Sequence, residues 1–376
     1  MPKRIFELDV LRGIAILLVM GVHVPARSIQ DNITQGYPFW TRSGWMGVDL
    51  FFVLSGFLIS NLLFSEYRAG GTIRLPRFFL RRAMKLYPSF YLMLGVTLAV
   101  AAVLGVSFGG RQVAGELIMN QNYLGSIWDH TWSLAVEEHF YLLLPLVLAW
   151  MMRARGPNPF RRTPYVAIAV AALCLALRVW VTATGNVYDH RLSHLRFDSL
   201  FAGVLLGYLH NFRPEVLRRL MDSSWRFPVT AAGVLCLLPG VILDVNDPFL
   251  YTAGLSLLYI GFSVLLLTAL YPEPGRARRA PGPTTRAVAF LGGYSYTVYL
   301  WNVPVSFFYT AMAGHFPSAS PYVFHPLYFA TSIVLGVVAS KLIERPVLQM
   351  RDRVWQLLDR RSAATEPQVP ELKLAQ

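Results

Sequence analysis

The chemistry-bearing residues of this chain begin with Arg12 and His23, which lie inside its first hydrophobic stretch, Glu7 to Val24. An ionisable group in hydrocarbon costs several kcal/mol, so a span that keeps two is expected to use them. Eleven helical steps of about 1.5 Å put the pair roughly 16 Å apart and nearly on one face. Both side chains can then look into one cavity, Arg12 near one membrane face and His23 near the other.

Further polar residues sort into two sets. With His23 go Asp49, which follows Trp45-Met-Gly-Val, and Glu137 in Trp132-Ser133-Leu-Ala-Val-Glu137-Glu138-His139-Phe-Tyr141. Arg196 and Asp198 belong here, as does Asn302 in the segment carrying Ser295, Tyr296, Tyr299 and Trp301. Ser133, Glu137 and Tyr141, at i, i+4 and i+8, share a helical face, and His139 points away from it. Asp49, Arg196 and Asp198 read either as ion pairs or as walls of a cavity, and Arg178 as a snorkelling or pairing residue. With Arg12 go Asp9, Arg81, Arg82, Lys85, Tyr87 and the Glu344-Arg345 pair. Arg82 and Lys85 stand three apart on one face. With Arg12 they make a site for ligand phosphates, whereas Arg77 and Arg81 read as ordinary flanking charges.

A basic mouth on one side suits an acyl-coenzyme A, whose pantetheine arm could carry the thioester towards His23. A histidine with a partner fixing its tautomer is what a general base needs. A hydroxyl acceptor arriving from the other side could then be acylated without the donor crossing. No metal is implied, because the His, Asp and Glu residues do not converge in a ligand-like spacing.

The elements that must position these residues follow from composition. Of 376 residues, 55% are hydrophobic and 15% charged, with a mean hydropathy of +0.44. A soluble domain carries about a quarter charged residues. The expected fold is all-α, a polytopic membrane protein of about ten helices. Spans are expected near 8–26, 45–65, 85–107, 132–152, 165–184, 197–211, 227–244, 250–271, 287–312 and 324–344, each near the ~20-residue requirement. The sixth is short and opens on charges, which suggests tilting or partial unwinding. The net charge of +13 is distributed by topology: alternate connections and the two termini hold 28 of the 34 Lys and Arg, and the opposite connections hold five. That is the positive-inside pattern, so both termini are expected in the cytoplasm, and a nucleic-acid role is not supported.

Val24-Pro25-Ala26 could pass as a signal-peptide cleavage site, but Arg12 and His23 in the apolar core argue against it. Cys174 and Cys236 both fall in hydrophobic spans and suggest no disulfide framework. The basic, Pro/Gly-rich stretch 272–283 reads as a loop, and the tail beyond about Arg360 as disordered.

The chain resembles the integral-membrane acyltransferase 3 family. The resemblance rests on Leu-Asp-Val-Leu-Arg12-Gly with His23, Gly47-Val-Asp49-Leu-Phe-Phe-Val-Leu-Ser55-Gly56-Phe, and Phe-Leu-Arg81-Arg82-Ala-Met-Lys85-Leu-Tyr87-Pro88. It also rests on Trp132-Ser133-Leu-Ala-Val-Glu137, Arg196-Phe-Asp198, Tyr294-Ser295-Tyr296-Thr-Val-Tyr299-Leu-Trp301 and Ile343-Glu344-Arg345-Pro346. It implies an acyltransferase domain over residues 1–348, followed by a cytoplasmic tail, 349–376, that is partly disordered. It further implies transfer of an acyl group, most often acetyl, from a cytosolic acyl-coenzyme A to a hydroxyl of a carbohydrate or lipid-linked glycan outside. Such an enzyme sits in the inner membrane of a bacterial-type cell. On this reading Arg12, Arg82 and Lys85 hold the coenzyme and His23 is the base. Glu137 orients His23 or binds the acceptor, and Asp49, Arg196, Asp198 and Asn302 shape the acceptor site. Two positions depart from the family pattern: Lys85 stands where a second arginine is usual, and Asn302 where a histidine usually follows the tryptophan. The competing reading is a transporter of an anionic glycolipid or acyl compound, without chemistry.

Overall fold

The computed structural model describes residues 5–25, 38–154, 156–185, 190–244, 247–272, 280–315 and 321–365. The centre of the expected 272–283 loop, the end of the tail and the Ala26 side of the considered cleavage site lie outside them. Among the described residues there are helices and connections and no strand.

Each of the ten hydrophobic runs forms a helix. They are α1 (Phe6–Val22), α2 (Gly47–Gly70), α3 (Leu75–Val103), α4 (Trp132–Met151) and α5 (Thr163–Ala183), then α6 (Phe197–Phe212), α7 (Ser223–Ile242), α8 (Leu255–Leu270), α9 (Ser295–His315) and α10 (Pro321–Ala339). An eleventh, α11 (Arg345–Thr365), continues α10 through a π-helical turn at Ser340–Glu344. Seven helical segments, those containing α2, α3, α4, α5, α7, α8 and α10, are long and apolar enough to cross a membrane. α1 and α6, of 17 and 16 residues, pack against α2. α1 contributes Arg12 and, at its C-cap, His23 to the cavities described below, and α9 contributes Tyr299.

Three boundaries differ from the sequence expectation, each for a local reason. α1 stops at Val22, with His23 as its C-cap, because Pro25 cannot continue the helix and disfavours helical geometry at the residue before it. The expected ninth span is broken: a helix Pro283–Gly292 ends at the Gly292-Gly293 pair before α9 begins. The sixth is a regular helix, not an unwound one. α3 begins at Leu75, so Arg77, Arg81, Arg82 and Lys85 all stand on its first three turns. The turn that feeds it is made by Gly71 at φ +67, whose N–H closes on Tyr67 O at 2.6 Å. Only glycine takes that left-handed position at low cost.

The tightest crossing is between α2 and α6. A Cβ on Gly203 would meet Val53 O at an impossible distance, and Phe57 N at 2.5 Å. Gly56 is closed off in the same way by Leu200 O. Small residues at such a crossing let two backbones approach where lipid offers no hydrophobic drive. This contact sets the distance between Asp49, on the first turn of α2, and Arg196, the N-cap of α6. Gly203→Val is therefore expected to separate the helices. Overpacking of this kind costs roughly 1–3 kcal/mol or more, to be read as a lowered midpoint of thermal unfolding in detergent; an unchanged midpoint would show that the crossing can relax.

Candidate active site

Two cavities stand back to back and hold most of the residues that the sequence singles out. The first, about 130 Å³, is bounded by Arg12 of α1, Arg82 and Lys85 of α3, Glu137 and Tyr141 of α4, and Glu344. Gly292 and Gly293 form a bare stretch of its wall. Tyr141 donates to Glu137 Oε2 at 2.6 Å, and its hydroxyl lies 2.6 Å from Ser55 Oγ. The Arg82 guanidinium sits over the Tyr141 ring, 4.7 Å from its centre. Arg12 reaches Asp9 at 3.5 Å, and Glu344 accepts from Ser340 at 2.9 Å. Arg82 and Lys85 form no ion pair among the described residues. With Arg12 they outnumber the lining carboxylates Glu137 and Glu344, and an excess of positive charge in a narrow enclosed space suits an anion. Arg81 does not line this cavity, and Arg77 lies over the Trp355 ring at 4.8 Å.

The second cavity, about 630 Å³, opens among the opposite helix ends and contains His23, Asp49, His130, Arg191 and Arg196. His23 Nδ1 lies 2.9 Å from Val19 O, and a carbonyl can only accept, so Nδ1 carries the proton and Nε2 the lone pair. Asn302, beyond the described lining of this cavity, is buried behind it. Asn302 is itself held by donation to Tyr299 O at 2.5 Å and by the Tyr328 hydroxyl at 3.3 Å. The buried His130 ring meets His23 edge-on, with ring centres 6.3 Å apart. Its Nε2–H donates to Leu300 O at 3.3 Å, and its Nδ1 has no partner. His130 is placed by the loop before α4, which the buried Glu116 carboxylate fastens by accepting from Ile127 N at 3.0 Å and Thr131 Oγ1 at 3.0 Å. Burial pushes that carboxyl above its usual range.

Tyr299 and Val48 line both cavities and so divide them. The Tyr299 hydroxyl donates to His130 O at 2.8 Å and lies 2.5 Å from Ser133 Oγ. One end of this latch therefore belongs to a residue of the first cavity and the other to a residue of the second.

The predicted residues are thus divided. Ser133, Glu137 and Tyr141 do share one face, and all three line the first cavity with Arg12, Arg82 and Lys85. Arg12 and His23 open to different cavities, not to a common one, because the Tyr299 ring of α9 stands between them. Glu137 lines only the first and is not among the residues surrounding His23. Asp49 and Arg196 pair at 2.7 Å with Ser199 donating to Asp49 at 3.3 Å, and both line the second cavity. Asp198 does not reach it and pairs with Arg178 at 2.7 Å. Arg178 is buried and also donates to Leu195 O at 2.8 Å, so it pairs and does not snorkel. His139 packs, as its position off the Glu137 face implies, with Nδ1 2.6 Å from Ser193 Oγ. His130 was not singled out from the sequence. It precedes the hydrophobic run, and only its place one residue before Thr131-Trp132 at the start of α4 could have marked it.

A family profile described as an acyltransferase domain matches residues 5–344, nearly the whole chain and every residue of both cavities. The chain belongs to the acyltransferase 3 family. Among curated proteins it is similar to the O-acetyltransferase OatA of Staphylococcus aureus strain MRSA252, at 24% identity over 382 residues, covering 96% of this chain and 60% of that protein. The OatA protein of S. aureus strain NCTC 8325 / PS 47 is 25% identical over 366 residues, covering 92% of this chain and 57% of its own length. The chain thus spans about three fifths of these relatives. No solved structure matches it significantly.

The buried Asp49–Arg196 pair makes a stability prediction. Asp49→Ala strands a buried guanidinium and is expected to cost about 3–5 kcal/mol, whereas Asp49→Leu with Arg196→Met should recover most of it. Thermal unfolding of the three proteins in detergent decides. A single variant as stable as the parent would mean that Arg196 finds another partner.

Proposed function

We propose that this protein is a membrane-embedded O-acyltransferase that moves an acyl group, acetyl first among candidates, from cytosolic acyl-coenzyme A to a hydroxyl of a carbohydrate or glycolipid on the outer side. The observation that carries the reading is the pairing of two unlike cavities across one side chain. Cations in excess of carboxylates, Arg12, Arg82 and Lys85, lie on one side of Tyr299, and a histidine of defined tautomer lies on the other. The S. aureus relatives named O-acetyltransferase support the chemistry.

On this reading Arg12, Arg82 and Lys85 take the donor's phosphate groups at the basic end, and the first cavity admits only the slender thioester arm. The acceptor enters the second cavity. His23 Nε2 removes the proton of its hydroxyl as that oxygen attacks the thioester carbonyl. The tetrahedral intermediate collapses by breaking the C–S bond, and the His23 imidazolium returns the proton to the coenzyme A thiolate. The products are an ester and free thiol. Val19 O holds the tautomer that this step requires; Glu137 belongs with the donor end. The alternative of a transporter without chemistry has no specific observation in its favour, since transport gives no role to a His23 held in one tautomer.

The test separates binding from chemistry. In purified protein, His23→Ala should bind acetyl-coenzyme A as the parent does but release coenzyme A thiol about 10²–10⁴-fold more slowly in the presence of a cell-surface glycan preparation. Arg82→Ala should weaken binding in calorimetric titration, and Lys85→Arg should keep it or tighten it through a bidentate contact. Turnover by His23→Ala above about a tenth of the parent's, or unchanged affinity in Arg82→Ala, would contradict the assignment.

A further inference from the structure

The charges of the second cavity indicate what kind of acceptor it takes. Among the described residues, three arginines line it, Arg42, Arg191 and Arg196, against three carboxylates, Asp49, Asp129 and Asp244. Two of these arginines are ion-paired. Arg196 is locked to Asp49 at 2.7 Å, with both side chains almost fully buried, and its guanidinium lies 5.5 Å from the centres of the Phe52 and Trp132 rings, which themselves meet edge-on. Arg191 is ion-paired to Asp129 at the more exposed rim, and Arg42 donates to Ile242 O at 3.3 Å. An anionic ligand that took Arg196 from Asp49 would leave a carboxylate buried without its counter-charge. One at Arg191 would compete with Asp129, and anywhere in the cavity it would face the carboxylates at short range. The first cavity is the opposite case, with Arg12, Arg82 and Lys85 in excess of Glu137 and Glu344.

The rest of the wall is aromatic and hydrogen-bonding. Trp45, Trp132 and Tyr251 line it, and Tyr251 stacks on His190 with ring centres 4.5 Å apart. Flat rings take the apolar C–H faces of a sugar or polyol. Carboxylates that already have partners retain lone pairs that accept from hydroxyl groups. Resting on the function proposed above, we infer that the group entering the second cavity is an uncharged polyhydroxyl compound, and that Asp129 enforces this by neutralising Arg191 at the rim. Sugar acids, sugar phosphates and the pyrophosphate of a lipid carrier are excluded from the cavity; a lipid-linked acceptor must present a neutral sugar there.

Binding of neutral disaccharides and methyl glycosides, each compared with its uronate and its phosphate form, tests this in the detergent-solubilised protein. Quenching of tryptophan fluorescence is the readout, since Trp45 and Trp132 lie in the wall. The neutral forms should bind at least about tenfold more tightly than their acidic counterparts, because like charges in a confined site repel. Asp129→Asn frees Arg191 at an exposed position that the fold tolerates, and should narrow that gap severalfold by strengthening acidic ligands. Acidic forms that bind as well as neutral ones in the parent, no binding of any neutral form, or a gap untouched by Asp129→Asn would overturn the inference. Acetyl-coenzyme A titrated into the same preparation keeps the two claims apart. Its failure to bind would remove the proposed function and leave the acceptor preference standing.

Discussion

The arrangement depends on one hydroxyl group, that of Tyr299, held between Ser133 Oγ and the carbonyl of His130. Without it, the cavity of Arg82 and Lys85 and the cavity of His23 would be a single polar channel through the helices. With it, each is closed at its inner end by the same ring, backed by Val48. On the function proposed, this ring would stand between an acyl thioester at the basic end and an acceptor in the larger cavity. α9 is suited to the task. Tyr296 ties it to α3 by donating to Leu86 O at 2.6 Å, and Asn302 ties it to Tyr328 of α10. Both ties hold the helix so that Tyr299 stands at the boundary of the two cavities.

The two sides of this partition use charge in opposite ways. Around the larger cavity Arg196 and Asp49, and behind it Arg178 and Asp198, neutralise one another in buried pairs. These pairs orient α2, α5 and α6 and leave no net field for a ligand to answer. Around the smaller cavity Arg82 and Lys85, half-buried, form no ion pair among the described residues, and with Arg12 they outnumber the lining carboxylates Glu137 and Glu344. That excess of positive charge is open to an anion. Stability and binding are thus assigned to different arginines.

Much of this was legible in the sequence, and the parts that were not have identifiable causes. Helical periodicity placed Ser133, Glu137 and Tyr141 on one face correctly, because a face depends only on spacing. Which cavity that face meets depends on how far α4 descends past Tyr299, and spacing is silent on this, so Glu137 was grouped with His23. The pair of Arg12 and His23 was expected to share a cavity on the same geometric ground, and a side chain from α9, remote in sequence, divides it. His130 escaped notice because it lies in a connection, where no periodicity operates and where Glu116, remote from it in the chain, fixes the backbone. Asp198 and Arg196, only two residues apart, find different arginine and aspartate partners because α6 begins between them. The glycine break before α9 was present in the sequence as Gly292-Gly293 but was masked by the hydrophobic residues around it.

The two-sided account requires the helix ends bearing Arg82 and Lys85 to face the cytoplasm and those bearing His23 and His130 to face outward. Single cysteines at the exposed positions Arg111 and Ala280, in a background with Cys174 and Cys236 replaced, report this directly through a membrane-impermeant thiol reagent applied to intact cells. The account predicts that the cysteine at 111 is labelled and the one at 280 is labelled only after the membrane is broken. Labelling of 280 but not 111 in intact cells would put the phosphate-binding cations outside, where no acyl-coenzyme A is found, and would contradict it.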